Sequence, residues 1–453
     1  MIYPLALVAL AGLGIAAPGT TQPPINFNDI LDATSVPTGP PAAALTQTSV
    51  YNQASALSKA SGAASVVASA VASSSEAPAV SPRGFCFFGF CIGSPAPSSN
   101  SPGQYGWPAS TSSTKAPVAT PTPSTTTPTT PPVVTSPPAV VVPSTCTPVS
   151  WSNTNAFTTA TGCAAPFEVG TYCGFINPED PCAPQPAGSG PLVQPDTPEA
   201  FVANPAFHQL ALGAATPSGY GSTFKDLNAS VNANSYLGLH TLNSYDVAQC
   251  ASYCDNTNLC TGINIYIERD PAYNPSGCSC TSPPSLTNFK CTLWGSGVDK
   301  AAATNFGQTR DGFQVVIAGS NGYEKTNNTT PQTPPGWTKP QGCGGSVHNH
   351  PSTCLGQKFF PGPFDASVCA AYAAAQNAKN SNSLGFSLAS LFGYSPFKCN
   401  FFNAFMVKQN GVAQGTYCSL FAQQYAPSAA TYQPGNAGGI NWGVESSWSF
   451  CSA

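Results

Sequence analysis

Residues 245–254 read YDVAQCASYC, 260–271 CTGINIYIERDP, 290–295 KCTLWG and 313–323 FQVVIAGSNGY. In the first run Val247, Cys250, Ala251 and Cys254 recur at the one-face spacing of a helix. Asn243 or Ser244 is placed to cap it, with Asp246 in its first turn. Cys250 and Cys254 stand four apart, so both thiols leave one face and can staple the helix to a sheet. The other runs alternate as strands do: Ile263, Ile265 and Ile267 against Asn264, Tyr266 and Glu268; Cys291 and Leu293 against Thr292 and Trp294; Phe313, Val315 and Ile317 against Gln314 and Val316. Asn321-Gly322 reads as a turn closing the last strand. One helix, three strands and six cysteines predict a small α+β module held by disulfides.

Outward from this module the chain changes character. Only 7% of its 453 residues are charged, against about 25% in ordinary globular proteins. With a net charge of −4, neither nucleic acid nor an anionic membrane surface is an expected partner. The 18 cysteines fall into successive groups of 2, 4, 6 and 6. Even groups suit local disulfide pairing in an oxidising compartment. Leu5 to Ala17 is an apolar run of signal-peptide length, short of the roughly 20 residues of a membrane span. Gly14-Ile15-Ala16 suits cleavage before Ala17, giving a signal peptide over 1–16; Pro18 and the proline-rich tract after it argue against a buried N-terminal helix. The end, GVESSWSFCSA, has no apolar tail, so neither a C-terminal lipid anchor nor a transmembrane segment is expected.

Residues 17–92 are rich in Ala, Ser, Thr and Pro. Such a stretch buries too little surface to offset its ordering entropy, so a long disordered N-terminal region with transient helix is expected. Within it FCFFGFC places Cys86 and Cys91 to close a tight loop, read as a short hairpin packed on a neighbour or as a hydrophobic docking loop. Residues 93–145 have the Ser/Thr/Pro composition of an extended, O-glycosylated stalk. In 146–182, Cys146, Cys163, Cys173 and Cys182 are spaced by 17, 10 and 9, too widely for a zinc site, and predict a two-disulfide knot. N-glycosylation sequons begin at Asn228, Asn327 and Asn328; the last two overlap, so one of them is expected to be used.

The last third repeats the module. YDVAQCASYC at Tyr245 aligns with FDASVCAAYA at Phe364, and KCTLWGSGV at Lys290 with KCNFFNAFMV at Lys398. Domains over 183–330 and 331–453 follow. Cys250 then corresponds to Cys369, and Cys291 to Cys399. Cys254 is replaced by Ala373, and Cys260 has no counterpart, as expected if those two bond each other. The shared staples would be Cys250–Cys291 and Cys369–Cys399, each contributing roughly 3–4 kcal/mol through loop closure. Cys278 and Cys280 either bond each other or reach elsewhere, and Cys343–Cys354 and Cys418–Cys451 are the remaining assignments.

Helix cysteines Cys250 and Cys254, Cys260 before GINIY, and the strand cysteine Cys291 resemble the PAN/apple module. The resemblance implies a curled antiparallel sheet around one helix, the nested pairs Cys250–Cys291 and Cys254–Cys260, protein or glycan binding, and no catalytic residues. From Cys182 onward the chain is also similar to a group of secreted, cysteine-rich proteins of filamentous fungi, which brings no assigned role with it. The runs that carry this likeness are CAPQPAGSGP, NIYIERDP, TNFKCTLWG, FGQTRDGFQVVIAGSNGY and GPFDASVCAAYAAAQN.

Chemistry is sparse. Only His208, His240, His348 and His350 are present; His348-Asn-His350 could hold a metal on one strand face but lacks a third ligand, so a surface loop is the expected reading. Glu268-Arg269-Asp270 is the densest charge cluster, read as a charged strand end with Arg269 paired to a neighbour, against a glycoside-hydrolysing carboxylate pair. No GxSxG, HExxH or phosphate loop occurs. Trp294 is expected to be buried rather than stacked on a sugar. The expectation is a secreted, non-catalytic, cofactor-free fungal surface or matrix protein whose tandem modules bind cell-wall glycan or extracellular protein. The alternatives are a structural cell-wall component without a ligand and, behind it, a glycan-acting hydrolase.

Overall fold

The computed structural model describes residues 25–40, 46–64, 85–87, 90–92, 182, 185, 188–276, 280–326, 330–384 and 398–453. Residues 74–140 cluster as a unit of their own, in which Phe85–Phe87 pairs antiparallel with Phe90–Ile92 and Cys86 lies opposite Cys91. The other unit is built on two large antiparallel sheets, with three two-stranded ones beside them among the described residues. The first contains β1 (Tyr220–Leu227), β2 (Tyr236–Leu242), β3 (Gly262–Pro271), β4 (Ser285–Trp294) and β5 (Val316–Lys325), in the spatial order β1-β5-β3-β4-β2. The second contains β6 (Gln341–Gly344), β7 (Cys354–Pro361), β8 (Phe401–Gln409), β9 (Val412–Phe421) and β10 (Ile440–Cys451), in the order β6-β10-β8-β9-β7. The two orders are the same. Each sheet also takes its helix between its second and third strands: Val247–Asp255 in the first and Ala366–Leu384 in the second.

The equivalence extends to single atoms. Asn264 of β3 accepts from Val231 N and donates to Ser320 Oγ and Asn321 O. Asn403 of β8 accepts from His348 N and donates to Ser447 Oγ and Trp448 O. Each amide lies at the bulge where the neighbouring strand, β5 or β10, loses register. The helix over Val247–Asp255 is capped by Asp246, whose carboxylate accepts from Gln249 N, rather than by Asn243 or Ser244. Asp365 does the same for Ser367 N.

The disulfides locate an error in the sequence alignment. Cys250 bonds Cys291 and Cys254 bonds Cys260. Cys369, however, bonds Cys418, not Cys399. Cys291 faces Ile265 across β4 and β3, and Cys418 faces Ala404 across β9 and β8. The true counterpart of FKCTLW is therefore TYCSLF at 416–421, one strand beyond the run aligned above. Cys399 precedes β8 and donates its backbone N–H to Asn377. Asn377 is eight residues along the helix from Cys369, about 12 Å at the helical rise. Cys343–Cys354 does not form, because β6 and β7 are the opposite edges of their sheet, roughly 19 Å apart at four strand spacings. Cys418–Cys451 does not form either; Cys343, Cys354, Cys399 and Cys451 are thiols. Cys182 reaches Cys280, 98 residues on, so it does not belong to a knot confined to 146–182. Cys146, Cys163, Cys173 and Cys278 lie outside the described residues, as do 1–16 and all of the 93–145 stalk.

Two pieces of the Ala/Ser-rich N-terminal stretch are built into this unit. Residues 46–50 add to the free edge of β2, with Gln47 and Leu239 exchanging both backbone bonds at 2.8 Å. Gln53–Gly62 is a helix whose Ala60 packs with Ala64, Ala373 and Leu355. Phe27 stacks on Trp442 at 4.6 Å. Small alanines let backbones approach closely, so the docked helix carries a single large apolar residue, Leu57, and little else to betray it. The Asn321-Gly322 turn is also absent. Both residues lie inside β5, where Asn321 donates to Ala211 O and Tyr323 Oη, and a Cβ at Gly322 would run into the Phe224 ring. Between 182 and β1 the chain straps the end of β3 and β4 and then forms helices Pro198–Val202 and Pro205–Gly213. Among the described residues no helix is long and apolar enough to cross a membrane.

Candidate functional site

A cleft of about 430 Å³ opens where residues 47–53, β2 and the turn after the first sheet's helix meet. Its wall carries the amides Gln47, Gln53, Asn256 and Asn258 and the hydroxyls Thr48, Ser49 and Thr257. None of its lining residues is Asp, Glu, Lys or Arg. Gly238 belongs to this wall because a Cβ there would strike the Gln47 carbonyl that bonds β2. Tyr236 Oη donates to Gln47 Oε1 at 2.9 Å. Tyr51 Oη and Gln53 Nε2 both donate to Asp365 Oδ2, at 3.2 and 2.9 Å. Burial, with the Asp365 carboxylate beside it, holds the Tyr51 phenol well above its ordinary pKa. His240 lies flat on Tyr253, ring centroids 3.8 Å apart and planes within 3°. Burial lowers the His240 pKa, so the ring is neutral at physiological pH. The cleft thus offers hydrogen bonds and ring faces without formal charge, which suits an uncharged polar ligand. Sequence reading missed it, because Gln47, Thr48, Ser49, Tyr51 and Gln53 of its wall come from the low-complexity stretch.

The carboxylate pair lies elsewhere. Tyr266, Glu268 and Asp270 share the β3 face opposite the helix, facing Lys290 and Asn288 of β4. Lys290 Nζ is 2.5 Å from Glu268 Oε1 and 3.3 Å from Asp270 Oδ2, and Asn288 donates to Asp270 Oδ2 at 2.7 Å. All three charged groups are buried. Burial and the neighbouring Asp270 push Glu268 up to about 7, while Lys290 and Asn288 hold Asp270 below its ordinary value against the penalty of burial. Among the described residues Asp270 Oδ1 finds no donor. The carboxylates therefore converge on a buried ammonium and take no part in the cleft wall. Arg269 points to the other face, bonds Asp196 at 2.7 Å and lies over the Phe313 ring.

His348 is buried among Phe401, Phe421 and Tyr425, not on a surface loop. Its Nδ1 meets His350 Nε2 at 3.1 Å, so the two rings engage each other, and His350 stacks on Tyr425. Burial lowers His348 to about 4. No cluster of three His, Cys, Asp or Glu able to hold a metal occurs among the described residues. Asn228 is exposed, while Ser230 of its sequon is buried and accepts from Asn305; Asn327 and Asn328 lie outside the described residues. Trp294 is buried, its indole N–H donated to Thr292. Comparison with family models, curated proteins and solved structures finds no match to this chain.

Proposed function

We propose that the chain is a secreted, non-catalytic surface or matrix protein of a filamentous fungus. Two copies of a PAN/apple-like module form its C-terminal half, and the first binds a neutral cell-wall glycan in the cleft beside His240. The observation that carries this reading is the uncharged, amide-lined cleft with Tyr51 and a neutral His240 in its wall. The common strand order, the helix-to-strand staples Cys250–Cys291 and Cys369–Cys418, and the paired bulge amides Asn264 and Asn403 support two copies. The disulfides support an oxidising, extracellular setting.

The test is a glycan array with the full secreted chain. Retention of neutral oligosaccharides is expected, insensitive to salt because no charge takes part. The double variant Asn256→Ala/Asn258→Ala should lose at least about tenfold in affinity, the worth of one or two hydrogen bonds. Silence of the wild-type chain on the array would discard the glycan reading. A purely structural wall role is favoured by one observation: Trp294 and Trp442 are spent in packing rather than displayed. Array silence with wall retention intact would select it.

A further inference from the structure

Lys290, Glu268 and Asp270 stand in reacting distance in a place with almost no water. Nζ lies 2.5 Å from a Glu268 oxygen and 3.3 Å from an Asp270 oxygen, and the three residues are 2%, 7% and 5% exposed. Two carboxylates facing one ammonium leave an excess of negative charge in this buried place. Among the described residues Asp270 Oδ1 has no donor of its own. The second sheet shows that the fold does not need this arrangement. Its registers place Phe405 where the first has Tyr266 and Tyr417 where it has Lys290; two residues on from Phe405 stands Val407, in the place of Glu268. Those side chains pack in an apolar cluster with Phe359 and Trp442. Buried ion pairs are often no more stabilising than apolar residues of similar volume, so the charged solution asks for a use beyond stability.

We infer that Lys290 and Glu268 join in an intramolecular amide bond, with Asp270 as general base. The proton in the 2.5 Å contact passes from the ammonium to the Glu268 carboxylate, leaving a neutral amine beside a carboxylic acid. The amine lone pair attacks the Glu268 carboxyl carbon. Asp270 takes a proton from the nitrogen and hands it to the departing hydroxyl, which leaves as water. Asp270 ends as it began, one C–N bond replaces one C–O bond, and nothing is oxidised or reduced. Fixing amine and acid in contact supplies effective concentrations of roughly 10⁵–10⁸ M, and the dry surroundings oppose reversal by hydrolysis. The link would tie β3 to β4 covalently, close to the end strapped by Cys182–Cys280.

Tryptic mapping of the full chain, reduced, alkylated and freed of N-glycans, decides the matter. Trypsin does not cut after an acylated lysine. The linked chain should yield residues 226–269 joined to 270–300, lighter by one water than the two peptides together, with the join at Glu268 and Lys290 in the fragment spectrum. Free 226–269 and 270–290 in full yield would overturn the proposal. A loop closed within 270–300 would place the bond on Asp270 and overturn the assignment to Glu268. Asp270→Asn, which keeps the shape but removes the base, should cut the linked fraction at least tenfold. An unchanged fraction would remove Asp270 from the reaction. The wild-type map stands by itself if that variant fails to fold.

Discussion

The two sheets have one topology and two interiors. On the face opposite the helix, the first sheet carries Tyr266, Glu268, Asp270 and Lys290; the second carries Phe405, Val407 and Tyr417 at matching register. The helix-facing sides agree far better: Ile265 opposite Cys291 in one, Ala404 opposite Cys418 in the other. What the sheets share is therefore the staple, the bulge amide and the strand order. What they do not share is the chemistry of the covered second face. A feature present in one sheet and dispensable in the other is the better guide to function.

The largest effect expected from breaking this contrast is at Lys290. Lys290→Ala leaves Glu268 and Asp270 buried without a cation, and should cost about 3–5 kcal/mol in urea unfolding. Replacing the whole cluster by apolar residues (Glu268→Val, as Val407 stands in the second sheet, with Asp270→Leu and Lys290→Met) should cost far less than the single change. A triple variant as unstable as Lys290→Ala would mean that the first sheet depends on its charges.

The staples come next. Cys418→Ala opens a 49-residue loop and should cost about 4 kcal/mol, whereas Cys399→Ala, which touches no disulfide, should cost about 1 kcal/mol. Non-reducing peptide maps should join the Cys369 and Cys418 peptides. Equal losses from the two variants would restore the alignment that pairs Cys369 with Cys399.

Much of the first sheet was legible. Its helix buries Val247, Cys250, Ala251 and Cys254, and Phe313, Val315 and Ile317 are buried in the phase their spacing announces, although only Ile317 lies in β5 and Phe313–Gln314 pairs with Thr309–Arg310 instead. The second sheet was misread at one point for a physical reason. KCNFF at 398–402 looks like KCTLW because cysteine before a hydrophobic strand is a common local pattern, and only the register identifies which strand it begins. Asn321-Gly322 misled similarly: a bulge and a hairpin turn both favour this pair, and what separates them is the buried ring of Phe224. The cleft was invisible because its wall is assembled from residues 47–53 and 256–259, some two hundred positions apart and unremarkable in either place.

Acid separates the two interiors. His348, in the second, has its pKa depressed from 6.5 to about 4 by burial and the adjacent His350. A depressed pKa means the folded state binds fewer protons than the unfolded one, so its stability is full above pH 6.5 and lost as pH falls toward 4. The loss amounts to about 3 kcal/mol. Glu268, in the first, runs the other way as a free acid: raised from 4.5 to about 7, it would contribute most below pH 4.5 and lose that contribution as pH rises through 7. Once its carboxyl is held in an amide it has no proton to exchange. Urea midpoints from pH 4 to 8 should therefore fall on the acid side, and His348→Phe, which suits the Phe401 and Phe421 rings around it, should remove most of that fall. On the neutral side any slope should come from Glu324, which burial and the neighbouring Glu445 push up to about 7, and none from Glu268. A decline from pH 4.5 to 7 that Glu268→Gln abolishes would show Glu268 still titrating, and would leave the two sheets different in charge but alike in having no covalent link on that face.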